Sequence, residues 1–175
     1  MSGSTIITYN FGSVVKTTYA TVTIRDVTIT GGIAAAHGGG VNNWGGDLSI
    51  KNSTITNNFA GQLGGGISSA WSGSLTLKNV TVSNNGVEVT GASSGGGVFI
   101  GYGHVANINN SVVRDNAACL NGGGIANRGQ LSIYNSTIKN NRVGLGMDPC
   151  NVGDVHVYGG GIDNIQLPLS TDKIN

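Results

Sequence analysis

Eight acidic side chains are the raw material for hydrolytic or eliminative chemistry in this chain: Asp26, Asp47, Glu88, Asp115, Asp148, Asp154, Asp163 and Asp172. Glycoside hydrolysis needs two carboxylates across a groove, one to protonate the leaving oxygen and one to attack or to activate water. A calcium-assisted lyase needs clustered acidic ligands plus a basic group. The densest supply is the stretch Met147-Asp148-Pro149-Cys150-Asn151-Val152-Gly153-Asp154-Val155-His156, with Arg142 just before it and Glu88 in an earlier, shorter irregular stretch. Arg142, Glu88, Asp148, Asp154 and His156 are therefore the candidate binding groups. A solvated loop on a rigid scaffold, tied back by Cys150, accounts for the same residues without chemistry, and no catalytic residue is assigned.

Other constellations are weaker. His37 and His156 each stand just before a Gly-Gly-Gly run but are separated by most of the chain, and His104 belongs to another turn, so no metal site is expected. No Ser-His-Asp or Cys-His spacing occurs. The glycine runs lack the Lys-Ser/Thr that a phosphate loop requires. Cys119 and Cys150 permit one disulfide or two free thiols and make no Cys-x-x-Cys zinc site. No cofactor is implied.

The elements that must position these groups are repeats. Gly38-Gly39-Gly40-Val41 returns at Gly64–Ile67, Gly95–Val98, Gly122–Ile125 and Gly159–Ile162. Three glycines before a β-branched residue favour a corner that opens into a strand. A second signature follows each of the first four corners: Leu48-x-Ile50-x-Asn52-x-x-Ile55-x-Asn57-Asn58, with copies at 75–85, 106–116 and 131–141 and an earlier one at 22–29. From first to last apolar residue the interval is seven in every copy (22 to 29, 48 to 55, 75 to 82, 106 to 113, 131 to 138). From there to the next post-glycine residue it is 12 three times, but 16 for 82 to 98 and 24 for 138 to 162, so two insertions (86–94 and 142–158) fall at one corner. A period of this size signals a repeat architecture.

Each repeat offers three short β segments: one after the glycines, the Leu-x-Ile pair, and the Thr-Ile pair. Such segments pair with their equivalents one repeat later, predicting an all-β, right-handed parallel β-helix of three short parallel sheets and about six coils at about 4.8 Å spacing. A β-propeller wants longer strands and a leucine-rich repeat wants a different frame. Residues 1–21 are assigned to an N-terminal cap or partial coil, 22–164 to the repeats and 165–175 to a tail or truncated coil, where Pro168 cannot donate to a ladder. An uncovered end predicts end-to-end self-association or an excerpt of a longer protein.

Stacking predicts columns. Asn52, Asn79, Asn110 and Asn135, with Asp26, form one asparagine ladder, and Asn58, Asn85, Asn116 and Asn141 another. Asp26 joins the Asn52 column, Asp115 the Asn57 column and Asp163 the Asn42 column, so the repeat assembles no carboxylate pair. Arg25, Lys51 and Lys78, followed by Asn109 and Tyr134, form an outward column that could meet an acidic glycan or keep the face soluble. Thr28, Thr54 and Thr81 begin two hydroxyl columns resembling those of ice-binding solenoids, which break at Val112-Val113-Arg114 and Lys139.

Composition narrows the partners. A net charge of +1 with 10% charged residues argues against a nucleic-acid groove. No apolar run approaches the roughly 20 residues of a membrane-spanning helix, and Met1–Thr5 lacks a secretory leader pattern.

The runs Ile55-Thr-Asn-Asn58-Phe-Ala60-Gly-Gln-Leu-Gly64-Gly65-Gly66-Ile67 and Val113-Arg-Asp-Asn116-Ala117-Ala-Cys-Leu-Asn-Gly122-Gly123-Gly124-Ile125 resemble the repeats of chlamydial-type polymorphic outer membrane proteins. Here Ile or Val stands at the family's Phe position and Gly-Gly-Gly replaces Gly-Gly-Ala, over roughly residues 22–164. The resemblance implies a secreted or cell-surface passenger, often adhesive, with a glycan or neighbouring surface as partner. The expectation is a non-catalytic surface module. The alternatives are a polysaccharide lyase or hydrolase using Asp148, Asp154 and Arg142, and an ice-binding solenoid.

Overall fold

The computed structural model describes residues 5–8, 11–87, 93–144 and 159–164. All regular elements among the described residues are strands, and they form three sheets in which every strand pair is parallel. A single antiparallel bridge, Gly12 with Ile33, lies outside the strands.

The first sheet holds Thr5–Thr8, Val27–Thr30, Thr54–Thr56, Thr81–Ser83, Val112–Arg114 and Thr137–Lys139 in that lateral order. Its register puts Ile7, Ile29, Ile55, Val82, Val113 and Ile138 in single file. Ile29, Ile55, Val82 and Val113 are fully buried, because strand alternation sends the central aliphatic inward and its polar neighbours outward. Facing them are Val41, Leu48, Ile50, Ile67, Leu75 and Leu77, also buried, from the nine-stranded sheet.

That nine-stranded sheet departs from the expected organisation. The post-glycine segment and the Leu-x-Ile segment belong to the same sheet, and twice they fuse into one strand, Val41–Lys51 and Ile67–Lys78. The junction is a bend built from left-handed residues: Gly45 (φ 70°) and Gly46 (φ 104°) in one strand, Trp71 (φ 85°) and Gly73 (φ 111°) in the next. The register slips between Trp44 and Gly46, so the second strand carries one extra residue there. Elsewhere the two halves stay separate, as in Val98–Ile100 and His104–Asn109, or Ile125–Asn127 and Gln130–Tyr134.

The third sheet uses residues that the pattern left unassigned. Its two-residue strands are Ile33–Ala34, Phe59–Ala60, Gly86–Val87, Ala117–Ala118 and Arg142–Val143; the first follows Gly31-Gly32, Ala117 follows Asp115-Asn116, and the other three follow Asn-Asn pairs. Two residues are too few to display alternation, so periodicity could not find them. The strands Gly86–Val87 and Arg142–Val143 take up the first two residues of the stretches 86–94 and 142–158 that the spacing reads as insertions.

Three kinds of corner join the sheets. Asp26, Asn52, Asn79, Asn110 and Asn135 turn the chain from the nine-stranded sheet into the first, all with φ between 46° and 58°. Asn57, Asn84, Asp115 and Asn140 turn it out of the first sheet, with φ between 53° and 55°. Asn and Asp are the non-glycine residues that tolerate this region best. The Gly-Gly-Gly corner divides its labour: Gly64 sits at φ 65°, a Cβ on Gly65 would strike the Gly86 carbonyl, and a Cβ on Gly66 would lie 2.7 Å from the Gly97 carbonyl oxygen and 3.0 Å from Asn85 Nδ2. All three positions therefore exclude a side chain.

Candidate functional site

The sequence-predicted acidic candidates are not brought together among the described residues. Glu88, Asp148, Asp154 and His156 lie outside them, as do Cys150 and Asp172. Arg142 is exposed on the last strand of the narrow sheet, beside Ala117. Asp115 is ion-paired with Arg114, whose hydrogen bond holds its carboxyl below the usual range. Asp163 shares a lateral file with Ala126, Phe99, Ser68 and Asn42, four strands from the last of these; burial raises its pKa, opposed by the charge of Arg128. Asp47 accepts a hydrogen bond from Ser74 at 2.8 Å. No group of three or more His, Cys, Asp or Glu among the described residues could hold a metal ion. Cys119 is buried and disulfide-bonded.

The cation column is continuous in register: Arg25 pairs with Lys51, Lys51 with Lys78, Lys78 with Asn109 and Asn109 with Tyr134. The three cations are exposed at adjacent positions and make no ion pair among the described residues. The threonine columns also stack, Thr28 with Thr54 and Thr81, and Thr30 with Thr56 and Ser83, before Val112, Arg114 and Lys139 interrupt them. The second column begins one strand earlier, at Thr8, and ends at Arg114, which is ion-paired with Asp115.

The two asparagine columns differ sharply. In the buried one, Asn58 Nδ2 donates to Asn85 Oδ1 at 3.0 Å, Asn85 Nδ2 to Asn116 Oδ1 at 3.0 Å and Asn116 Nδ2 to Asn141 Oδ1 at 2.9 Å. Each Oδ1 also accepts the backbone N–H of the preceding member, and each Nδ2 also donates to a carbonyl of the first sheet (Ile29, Ile55, Val82, Val113). The exposed column is shorter than expected. Asn52 donates to Asp26 at 3.2 Å and Asn79 to Asn52 at 3.1 Å, but no hydrogen bond continues to Asn110 and Asn135. Water satisfies exposed amides, so nothing compels them to pair. Their left-handed backbone is their main contribution.

A cleft on the outer face of the nine-stranded sheet was not anticipated. Lys16, Thr18, His37, Asn42 and Trp44 line a cleft of about 380 Å³. Register explains the grouping: Lys16 pairs with Asn42 and Thr18 with Trp44, all outward, while Val41 and Asn43 between them point inward. The His37 ring stacks on Trp44 (6.4 Å, 19°), and Trp44 tilts against Trp71 (5.0 Å, 45°). Trp71 is not opposite Trp44, whose register partner is Ala70; the extra residue at the bend re-aims the second indole onto the first. Two buried polar atoms in this cleft lack a hydrogen-bond partner, His37 Nδ1 and Asn42 Oδ1. Burial lowers the His37 pKa, with the Ala36 backbone opposing, so the ring is neutral at neutral pH. The signal was present in the sequence: the chain's two tryptophans stand 27 residues apart, one repeat.

Beneath the cleft floor runs an internal polar chain. Thr17 Oγ1 donates to Asn43 Oδ1 at 2.7 Å, Asn43 Nδ2 donates to Ser69 Oγ at 3.0 Å, and Ser69 Oγ lies 3.2 Å from His104 Nδ1. A Ser–His contact invites a nucleophilic reading, but Ser69 and His104 are both fully enclosed, so no substrate carbonyl could reach the hydroxyl. Burial lowers the His104 pKa, with the backbone of Ala70 and Ser72 and the charge of Asp47 opposing.

No family model, curated protein or solved structure matches the chain.

Proposed function

We propose that this chain is a non-catalytic structural and adhesive module, built as a right-handed parallel β-helix and displayed at a cell surface as part of a larger secreted or surface protein. The supporting observation is the lateral register of equivalent residues in all three sheets, with hydrogen-bonded partners 25, 26, 27 or 31 residues apart. Side chains one repeat apart are neighbours, and the buried asparagine ladder and glycine corners serve that stacking alone. Right-handedness follows from the strong preference of parallel crossovers. A stack carrying a cleft on its outer face suits binding, and the dispersed carboxylates of the described residues give hydrolysis no acid–base pair. The resemblance to outer-membrane repeats supports a position outside the cell.

Protease shaving of intact source cells, followed by peptide mass fingerprinting, tests display: peptides of this chain should be released before cytosolic markers. Retention of the chain with the cytosol would refute display. Release of unsaturated or reducing ends from a polysaccharide panel by the purified chain, abolished by Asp154→Ala, would overturn the non-catalytic reading in favour of a lyase or hydrolase.

A further inference from the structure

The cleft beside Trp44 has the composition of a binding site whose occupant can be specified by chemistry. Its wall is aromatic: Trp44 lines it with the His37 ring stacked alongside, and Trp71, which adjoins the cleft without lining it, meets Trp44 at 45°. Trp71 remains 62% exposed, although large aromatics usually hide in the core. Two tilted indoles make a bent platform open to solvent, which suits the C–H face of a puckered ring better than a flat base held in a parallel slot. The volume of about 380 Å³ lies within the range for small-ligand sites.

The polar groups point the same way. Asn42 and His37 are half-buried residues that line the cleft. Sugar hydroxyls, each both donor and acceptor, match an amide and an imidazole alike. Lys16 stands at the cleft edge, exposed, in register with Asn42 and with no ion pair among the described residues. An ammonium beside an aromatic platform is placed for a carboxylate on the edge of the stacked ring.

We propose that this cleft binds a hexuronate unit of an acidic glycan, with the sugar face on Trp44 and Trp71, hydroxyls on Asn42 and His37, and the carboxylate at Lys16. This rests on the adhesive reading above and gives it a ligand class. It also moves the binding surface away from the Arg25–Lys51–Lys78 column, which has cations but no aromatic platform beside it in that file until Tyr134.

Because Trp44 and Trp71 are the only tryptophans, the site reports on itself. The full chain is titrated with tetragalacturonate, with neutral cellotetraose and with ATP, reading tryptophan emission and confirming by calorimetry. Tetragalacturonate should shift the emission saturably and bind at least about tenfold more tightly than the other two, the margin expected of one charge-assisted contact. Lys16→Gln should remove that margin without changing cellotetraose binding, and added salt should shrink it. Trp71→Ala, at a position exposed enough to leave folding intact, should weaken tetragalacturonate about tenfold or more. Absence of saturable binding, equal affinity for cellotetraose, a preference for ATP, or an unchanged Lys16→Gln variant would each overturn the proposal. Failed binding with positive shaving sinks the ligand assignment alone; cleavage of tetragalacturonate sinks the non-catalytic reading.

Discussion

Asn85→Ala is the most informative single change, because the buried ladder concentrates several obligations on one amide. Asn85 Oδ1 accepts from the Asn58 backbone N–H (3.1 Å) and from Asn58 Nδ2 (3.0 Å), while its Nδ2 donates to the Ile55 carbonyl and to Asn116 Oδ1 (both 3.0 Å). After truncation Asn58 Nδ2 retains the Ile29 and Thr56 carbonyls, and Asn116 Oδ1 retains the Asn85 N–H. The Ile55 carbonyl keeps its place in the parallel ladder with Thr81–Ser83, and the Asn58 N–H is left stranded in the interior. At about 1–3 kcal/mol for a buried unsatisfied group, the expected loss is about 2 kcal/mol. For a chain of this length that is a fall in Tm of about 6 °C. The control is Asn79→Gly in the exposed column, which gives up one solvent-exposed bond to Asn52 but keeps a residue suited to φ 56°, and should change stability by less than about 1 kcal/mol. Urea unfolding followed by far-ultraviolet circular dichroism compares the two. If Asn85→Ala lies within about 1 kcal/mol of the parent, or the two variants are equal, the ladder does not hold the stack together as argued.

Two further outcomes follow from the same packing. Gly66→Ala drives a methyl toward the Gly97 carbonyl and Asn85 Nδ2, neither of which can retreat, and should cost about 1–3 kcal/mol or more by overpacking; a urea midpoint matching the parent would contradict the close approach. His104 should make stability fall on acidification. Its folded pKa lies below the ordinary value of about 6.5, so the unfolded chain binds the proton more readily, and stability that is complete above that value is lost as pH falls through the window down to the folded pKa. His104→Gln should flatten the slope of unfolding free energy against pH below 6.5 by one histidine's share, leaving that of His37; an unchanged slope would show that His104 does not titrate in this window.

The repeat was legible because stacking demands the same residue type at the same place in every turn of the chain. Ile29, Ile55, Val82, Val113 and Ile138 announce themselves by type and spacing, and they do lie in file. The asparagine columns were visible for the same reason, but not their division of labour. A buried amide must be bonded on every side and an exposed one need not be, so Asn58 through Asn141 make an unbroken ladder while the column of Asn52 stops at Asn79. Nor could spacing reveal that Asn57, Asn84, Asp115 and Asn140 supply a second set of left-handed corners.

By itself, the sequence determined an all-β chain of stacked equivalents, its recurring glycine and asparagine corners, and where its insertions fall, because each is a local demand repeated often enough to show. Only the tertiary structure decided which segments share a sheet and which residues meet on its outside. Whether the post-glycine and Leu-x-Ile segments fuse depends on the bends at Gly45-Gly46 and Trp71–Gly73, and the one extra residue there lays Trp71 against Trp44. His37, Asn42 and Lys16 stand where the other turns carry different residues, so no period marks them, and the one-repeat spacing of the two tryptophans does not show that they touch. They become a site through lateral register and a single bulge, which are properties of the folded backbone.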